Sequence, residues 1–142
     1  MDPLSLTASI ITVINLGGKT IASLAKLRAI LDAKEELSAL INEISDLQAV
    51  LTTLSHITAE EENDHVHLGP KKALASHVQR AKYKVLELEE LIAYELTKIR
   101  RDGNTEVARH AWLRKKHVIF RLQAELRNIR WNLATSLGIV TS

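Results

Sequence analysis

Apolar residues recur every three or four positions along most of this chain, which is the spacing that places them on one face of an α-helix. Four stretches keep this period, and none shows the strict alternation of a half-buried strand. The pattern predicts helices over residues 3–31, 33–56, 70–101 and 105–137. Four long helices joined mostly by short connections predict an all-α fold, an antiparallel four-helix bundle that occupies residues 1–142 as one domain.

The predicted helix ends coincide with residues that start, stop or turn a chain. Asp2-Pro3 suits a first helical turn, and Pro70 suits the start of the third helix. Residues 102–104, Asp-Gly-Asn, are typical of a turn, and Gly138 of a helix C-terminal cap. Residues 58–69 are acidic and aperiodic, so we predict a loop there.

Composition supports the helical prediction. The 142 residues include five glycines, two prolines and 4% aromatic residues, too few turn and aromatic residues for a β-sandwich or barrel. The absence of cysteine excludes disulfides, thiolate metal sites and thiol nucleophiles.

The longest uncharged run has 16 residues, whereas a membrane-spanning helix needs about 20 apolar residues. We therefore expect a cytoplasmic protein without a permanent transmembrane segment.

Charge is distributed unevenly along the chain. Residues 1–69 carry four Lys/Arg and ten Asp/Glu, whereas residues 70–142 carry fifteen and seven, so the halves have net charges of −6 and +8. The basic half is available to an acidic partner, and we expect anionic membrane lipid. Its basic residues alternate with Glu87, Glu89, Glu90 and Glu95 and show no recognised motif, so we expect no nucleic-acid partner.

The sequence shows none of the motifs that carry common enzyme chemistry. It has no glycine-rich phosphate loop, no HExxH and no serine nucleophile elbow. His65 and His67 stand beside acidic residues, but a solvated loop offers no rigid geometry for metal ligands. We therefore expect no enzymatic activity, no cofactor and no metal site.

The predicted fourth helix carries a second apolar line, about 130 degrees around the helix from its core positions. Two interpretations stay open: a surface for a membrane or an acidic partner, or a second core stripe against another helix. The line comprises Leu113, His117, Phe120, Ala124 and Trp131, and basic residues flank it at Arg109, Lys116, Arg121 and Arg127.

The predicted first helix has no charged residue from Pro3 to Gly18. Gly17 and Gly18 interrupt it, although each glycine inside a helix costs about 1 kcal/mol relative to alanine. The pair indicates either close packing at a helix crossing or a hinge that lets the uncharged part leave the bundle. In the second case the membrane-inserting residues are Leu4, Leu6, Ile10, Ile11, Val13, Ile14 and Leu16.

Three segments resemble a known family: MDPLSLTASIITVINLGGKTI, LSALINEISDLQAVLTTL and WLRKKHVIFRLQAELRNIRWNLATSLGI. They are similar to the N-terminal domain of fungal STAND/NLR-type proteins of the HeLo-like group. That group is related to the HeLo domains of fungal incompatibility proteins and to the helical bundle of the mixed lineage kinase domain-like necroptosis effector. The start of the chain is the most specific part of the likeness.

The resemblance implies a membrane-permeabilising cell-death execution domain, placed at the N-terminus of a larger protein. Such domains are activated by self-association, which a regulatory sensor or an amyloid motif triggers in cis or in trans. We would then expect relocation from the cytoplasm to the plasma membrane on activation. The alternative is a non-lytic interaction or oligomerisation adaptor domain of a STAND receptor.

Overall fold

The chain folds into four long helices in a computed structural model that describes residues 3–64, 71–96 and 105–141, with side chains for 6–60, 72–96 and 109–138. No strand occurs in these ranges, and the predicted all-α bundle is confirmed. The predicted turn at 102–104 and the histidines at 65 and 67 lie outside them. The elements are α1 (Pro3–Ile30), α2 (Lys34–Asp64), α3 (Lys71–Leu91) with a following π-helical turn (Ile92–Leu96), and α4 (Thr105–Thr141).

The helices pack at four corners, with α1 and α4 opposite each other. Helix α1 packs mainly on α2 and α3, and α4 packs on the same two helices. Helices α1 and α2 are antiparallel, because Thr7 near the start of α1 contacts Thr58 while Arg28 near its end contacts Ser38. The outer surfaces of α1 and α4 therefore lie on opposite sides of the bundle.

Helices α3 and α4 are also antiparallel, and ion pairs run along their contact. Lys84 lies 2.6 Å from Glu125, and Arg114 lies 3.8 Å from Glu95. The hydrogen bond to the Glu125 carboxylate raises the pKa of the Lys84 amine above its ordinary value of 10.5. These pairs hold α3 and α4 in one register.

The predicted apolar stripes form the core. Residues Ile92–Leu96 form a π-helical turn, and both Ile92 and Leu96 are buried. The predicted third helix is therefore not a continuous α-helix. The largest fully buried side chains are Ile10, Leu24, Leu27, Leu37, Leu40, Ile44, Leu47, Leu51, Leu54, Leu88, Ile92 and Leu96.

Two predicted helix ends are wrong. Helix α2 runs to Asp64 rather than residue 56, because the alanine and glutamates of this segment are good helix formers and Thr58 is buried against α1. The expected loop therefore does not begin at residue 58. Helix α4 passes through Gly138 to Thr141 instead of ending at residue 137. A glycine costs a helix about 1 kcal/mol, and that cost alone does not end it.

The Gly17-Gly18 pair marks a close crossing of α1 and α2. A Cβ atom on Gly17 would lie 3.3 Å from Ile44 Cγ2 and 3.3 Å from Gln48 Cγ, closer than ordinary contact. The Gln48 amide Nε2 uses this space to donate a 2.8 Å hydrogen bond to the backbone carbonyl of Ile14. Close packing thus has direct structural support, and the hinge stays a prediction.

A leucine at Gly17 should destabilise the bundle. The added side chain would force α1 and α2 apart, at a cost of about 1 to 3 kcal/mol in the free energy of unfolding. Gly138→Leu is the matched control, because no atom lies within 4 Å of a Cβ at Gly138. Urea unfolding should rank Gly17→Leu well below the control; equal stabilities would contradict the close-packing account.

A buried carboxylate joins α2 to α4. Glu43 is 6% exposed, and its Oε1 accepts a 3.0 Å hydrogen bond from Arg130 Nε, while Arg127 Nε lies 3.5 Å from Oε2. A buried charge needs its partners, because water cannot replace them. Arg127 is about half exposed, so Arg130 is the more important of the two.

Arg130→Gln should therefore reduce the free energy of unfolding by about 1.5 to 3 kcal/mol, the range for a hydrogen bond to a buried charge. Arg127→Gln, at the exposed partner, should cost at most about 1 kcal/mol. Thermal or urea unfolding measures both. A larger loss for Arg127→Gln would show that the buried pair is not the anchor between α2 and α4.

Candidate functional site

The predicted membrane-inserting residues lie mostly inside the bundle. Leu6, Ile10 and Val13 are buried in the core, and Ile14 and Leu16 are partly buried against it. Ile11 is the exception at 47% exposed. The side chain of Leu4 lies outside the described side chains. Contact of this set with lipid would therefore require α1 to leave its place.

The outer face of the N-terminal half of α1 is uncharged as well. Its exposed positions are Ala8, Ile11, Thr12, Asn15 and Gly18. The segment Leu6–Ile30 is long and apolar enough to cross a membrane, with a mean hydropathy of 1.3, and 28% of its best window is buried. Core helices of soluble proteins and signal sequences meet the same criterion, so length and composition alone do not assign a membrane role.

Helix α1 is held by apolar contacts and hydrogen bonds. Its polar links to other helices are hydrogen bonds: Thr7 to Thr58 at 2.9 Å, Ser23 to Glu89 at 3.3 Å, and Arg28 to Ser38 at 3.1 Å, besides the Gln48 bond to its backbone. Within the described side chains, every ion pair lies within or between α2, α3 and α4. Of the four helices, α1 alone has no ion pair in this set.

The second apolar line of α4 is exposed along its whole length, so its interpretation as a second core stripe is wrong. Leu113 is 60% exposed, Phe120 37% and Trp131 61%. Helix α4 contacts α2 and α3 through its inner stripe, and none of the other described helices packs on this opposite face. We call it the α4 outer stripe, composed of Leu113, His117, Phe120, Ala124 and Trp131.

Basic residues flank the α4 outer stripe, some of them in loose ion pairs. Arg121 lies 3.8 Å from Glu87 and 3.5 Å from Glu125, and Arg127 pairs with Glu43. Exposed pairs of this kind contribute about 0 to 1 kcal/mol, so they exchange readily for other anions.

Two flanking residues have no carboxylate partner among the described side chains. Arg109 is exposed, and the Lys116 amine lies 5.7 Å from the Phe120 ring centroid in a cation–π contact. Within Arg109–Gly138 no exposed residue is acidic, because Glu125 is half-buried. This face therefore presents positive charge and apolar rings together.

Sequence reasoning missed the polar groups that organise the interior. The Gly17-Gly18 pair indicated that another helix approaches α1 closely, but it did not identify Gln48 as the contacting residue. In the sequence, Gln48 looks like an ordinary polar position beside Leu47. Glu43 looks like a surface residue for the same reason. Tyr83 on α3 and Tyr94 in the π-helical turn, 58% and 70% exposed, were also not singled out.

No group of three or more potential metal ligands occurs among the residues that the structure describes. The histidine pair at 65 and 67 lies outside them. The chemistry available at the described surfaces is thus contact with apolar and anionic groups through α4, together with the uncharged N-terminal half of α1.

The family model described as "Pigment biosynthesis cluster protein PigL N-terminal" matches residues 1–134. No curated protein and no solved structure matches the chain. The expectation of a fungal helical domain is thereby confirmed, while the finer HeLo-like assignment stays a prediction. The chain belongs to the PigL N-terminal family, a family of helical domains of fungal pigment cluster proteins.

Proposed function

We propose that this domain permeabilises membranes, with α1 as the element that leaves the bundle and inserts. In this proposal the folded bundle is the resting, cytoplasmic form. Self-association, triggered by a sensor or an amyloid motif, releases α1 at the plasma membrane. The likeness to HeLo-like domains supports a role in fungal programmed cell death.

The observation that carries the proposal is the way α1 is held. Helices α2, α3 and α4 are joined by ion pairs, and none of those described reaches α1. Release of α1 would break apolar contacts and a few hydrogen bonds, including the one from Ser23 to the buried carboxylate of Glu89, but no ion pair of the described side chains. A bilayer replaces apolar contacts with its own hydrocarbon, whereas it would not replace the partner in an ion pair.

The length of the uncharged run explains why self-association belongs to the proposal. Residues 3–18 would span about 24 Å as a helix, against a hydrocarbon thickness of about 30 Å. A short segment perturbs or thins the bilayer at a modest cost, and several copies share that cost. One released helix would therefore act weakly by itself.

The alternative function is a non-lytic adaptor domain that oligomerises without inserting. It is favoured by the complete burial of the inner face of α1, where Ile10, Leu24 and Leu27 have no exposed surface. Exposing them in water would cost about 1.5 to 3 kcal/mol each. The two functions differ in one observable, which is leakage of vesicle contents.

Thr12→Lys should reduce leakage from vesicles of phosphatidylserine and phosphatidylcholine. Thr12 lies on the exposed face of α1 near the middle of its uncharged run, so lysine leaves the core unchanged. A charge at the bilayer centre costs about 2.5 to 3.5 kcal/mol, roughly a hundredfold in the insertion equilibrium. Release of an encapsulated dye measures the effect.

Thr53→Lys is the matched control. Thr53 is also exposed, and its hydroxyl donates to the carbonyl four residues earlier, as that of Thr12 does, but it lies on α2. Its variant should leak like the parent protein. Two results would favour the adaptor function instead: no dye release by the parent protein, or equal dye release by the folded Thr12→Lys and Thr53→Lys variants.

A further inference from the structure

The α4 outer stripe extends about 27 Å from Leu113 to Trp131, at 1.5 Å per residue. It is straight on the helix surface, since its members recur at intervals of three, four and seven residues. The three large side chains stand exposed at its two ends and its centre. A partner must therefore offer an extended, nearly flat apolar layer.

The charges beside the stripe restrict the partner further. On the helical wheel, Arg109, Lys116 and Arg127 lie along one side of the stripe, and Arg114 and Arg121 lie along the other. No exposed acidic residue lies between Arg109 and Gly138. The partner is thus anionic on both sides of an apolar centre.

An anionic bilayer surface has this chemistry. Tryptophan and other aromatic rings favour the boundary between headgroups and acyl chains, where the basic side chains meet lipid phosphates. A helical protein partner would require a groove with acids on both walls. Charge and shape together favour the flat anionic interface.

We infer that the α4 outer stripe docks the intact bundle flat on an anionic membrane surface, before and independently of the release of α1. Because α1 occupies the opposite corner, the docked bundle holds α1 away from the lipid. Docking and insertion are therefore separate steps that use separate surfaces. The inference rests on the proposed membrane function, since it names the first contact with the same membrane.

Trp131 provides the reporter for this step. Trp112 is buried and Trp131 is exposed, so Trp112→Phe leaves one tryptophan, on the stripe itself. Its emission should shift to shorter wavelength with vesicles of phosphatidylserine and phosphatidylcholine, and not with phosphatidylcholine alone. Bilayer-embedded brominated lipid should quench it.

Charge variants test the electrostatic part. Arg109→Gln combined with Lys116→Gln should reduce the partition coefficient about 30-fold at low salt, since each basic residue near the surface contributes about 1 kcal/mol. Lys72→Gln combined with Arg80→Gln removes the same charge from exposed positions on α3. This control variant should change the partition coefficient less than threefold.

Apolar variants test the stripe itself. Leu113→Ser combined with Phe120→Ser should weaken partitioning of the single-tryptophan protein. Tyr83→Ser combined with Tyr94→Ser, at exposed aromatic positions on α3 and its π-helical turn, should not. Circular dichroism confirms that each variant is folded.

Three results would overturn the inference. One is an unchanged Trp131 emission at saturating anionic vesicles. Another is a loss of partitioning in the control variants that equals the loss in the α4 variants. The third is a stable dimer in sedimentation that covers Trp131 without lipid, which would assign the stripe to a second copy of the chain. Thr12→Lys separates the two proposals: it should retain docking while it loses leakage.

Discussion

The bundle depends on one close contact, the crossing of α1 over α2 at Gly17 and Gly18. The absent side chains let Gln48 reach the backbone of α1 and bond to the Ile14 carbonyl. This approach places the inner residues of α1 in the core without any charged group. The same two glycines thus explain how closely α1 packs on α2.

The remaining helices are attached differently. Glu43 receives two arginines from α4, and Lys84 and Glu95 connect α3 to the same helix. The structure is therefore a three-helix unit joined by ion pairs, with α1 packed on it through apolar contacts and hydrogen bonds. The exposed basic and aromatic surface lies on α4, within this unit, and we propose that it stays in place when α1 is released.

The sequence predicts the fold well, because the period of the apolar residues determines which face of each helix is buried. It predicts Leu6, Ile44 and Leu133 as core and Phe120 as part of a separate line. It does not predict whether that line is buried, because burial depends on which corner each helix occupies. It also misses Gln48 and Glu43, whose polar side chains become interior only through partners distant in the chain.

The release of α1 is tested most directly by fastening it to α2. The chain has no cysteine, and the hydroxyl oxygens of Thr7 and Thr58 lie 2.9 Å apart, so Thr7→Cys with Thr58→Cys places two thiols within reach of a disulfide. We expect the oxidised protein to dock on anionic vesicles but to release no dye, and we expect a reductant to restore release. Equal dye release from the oxidised and reduced forms would contradict the proposed release of α1.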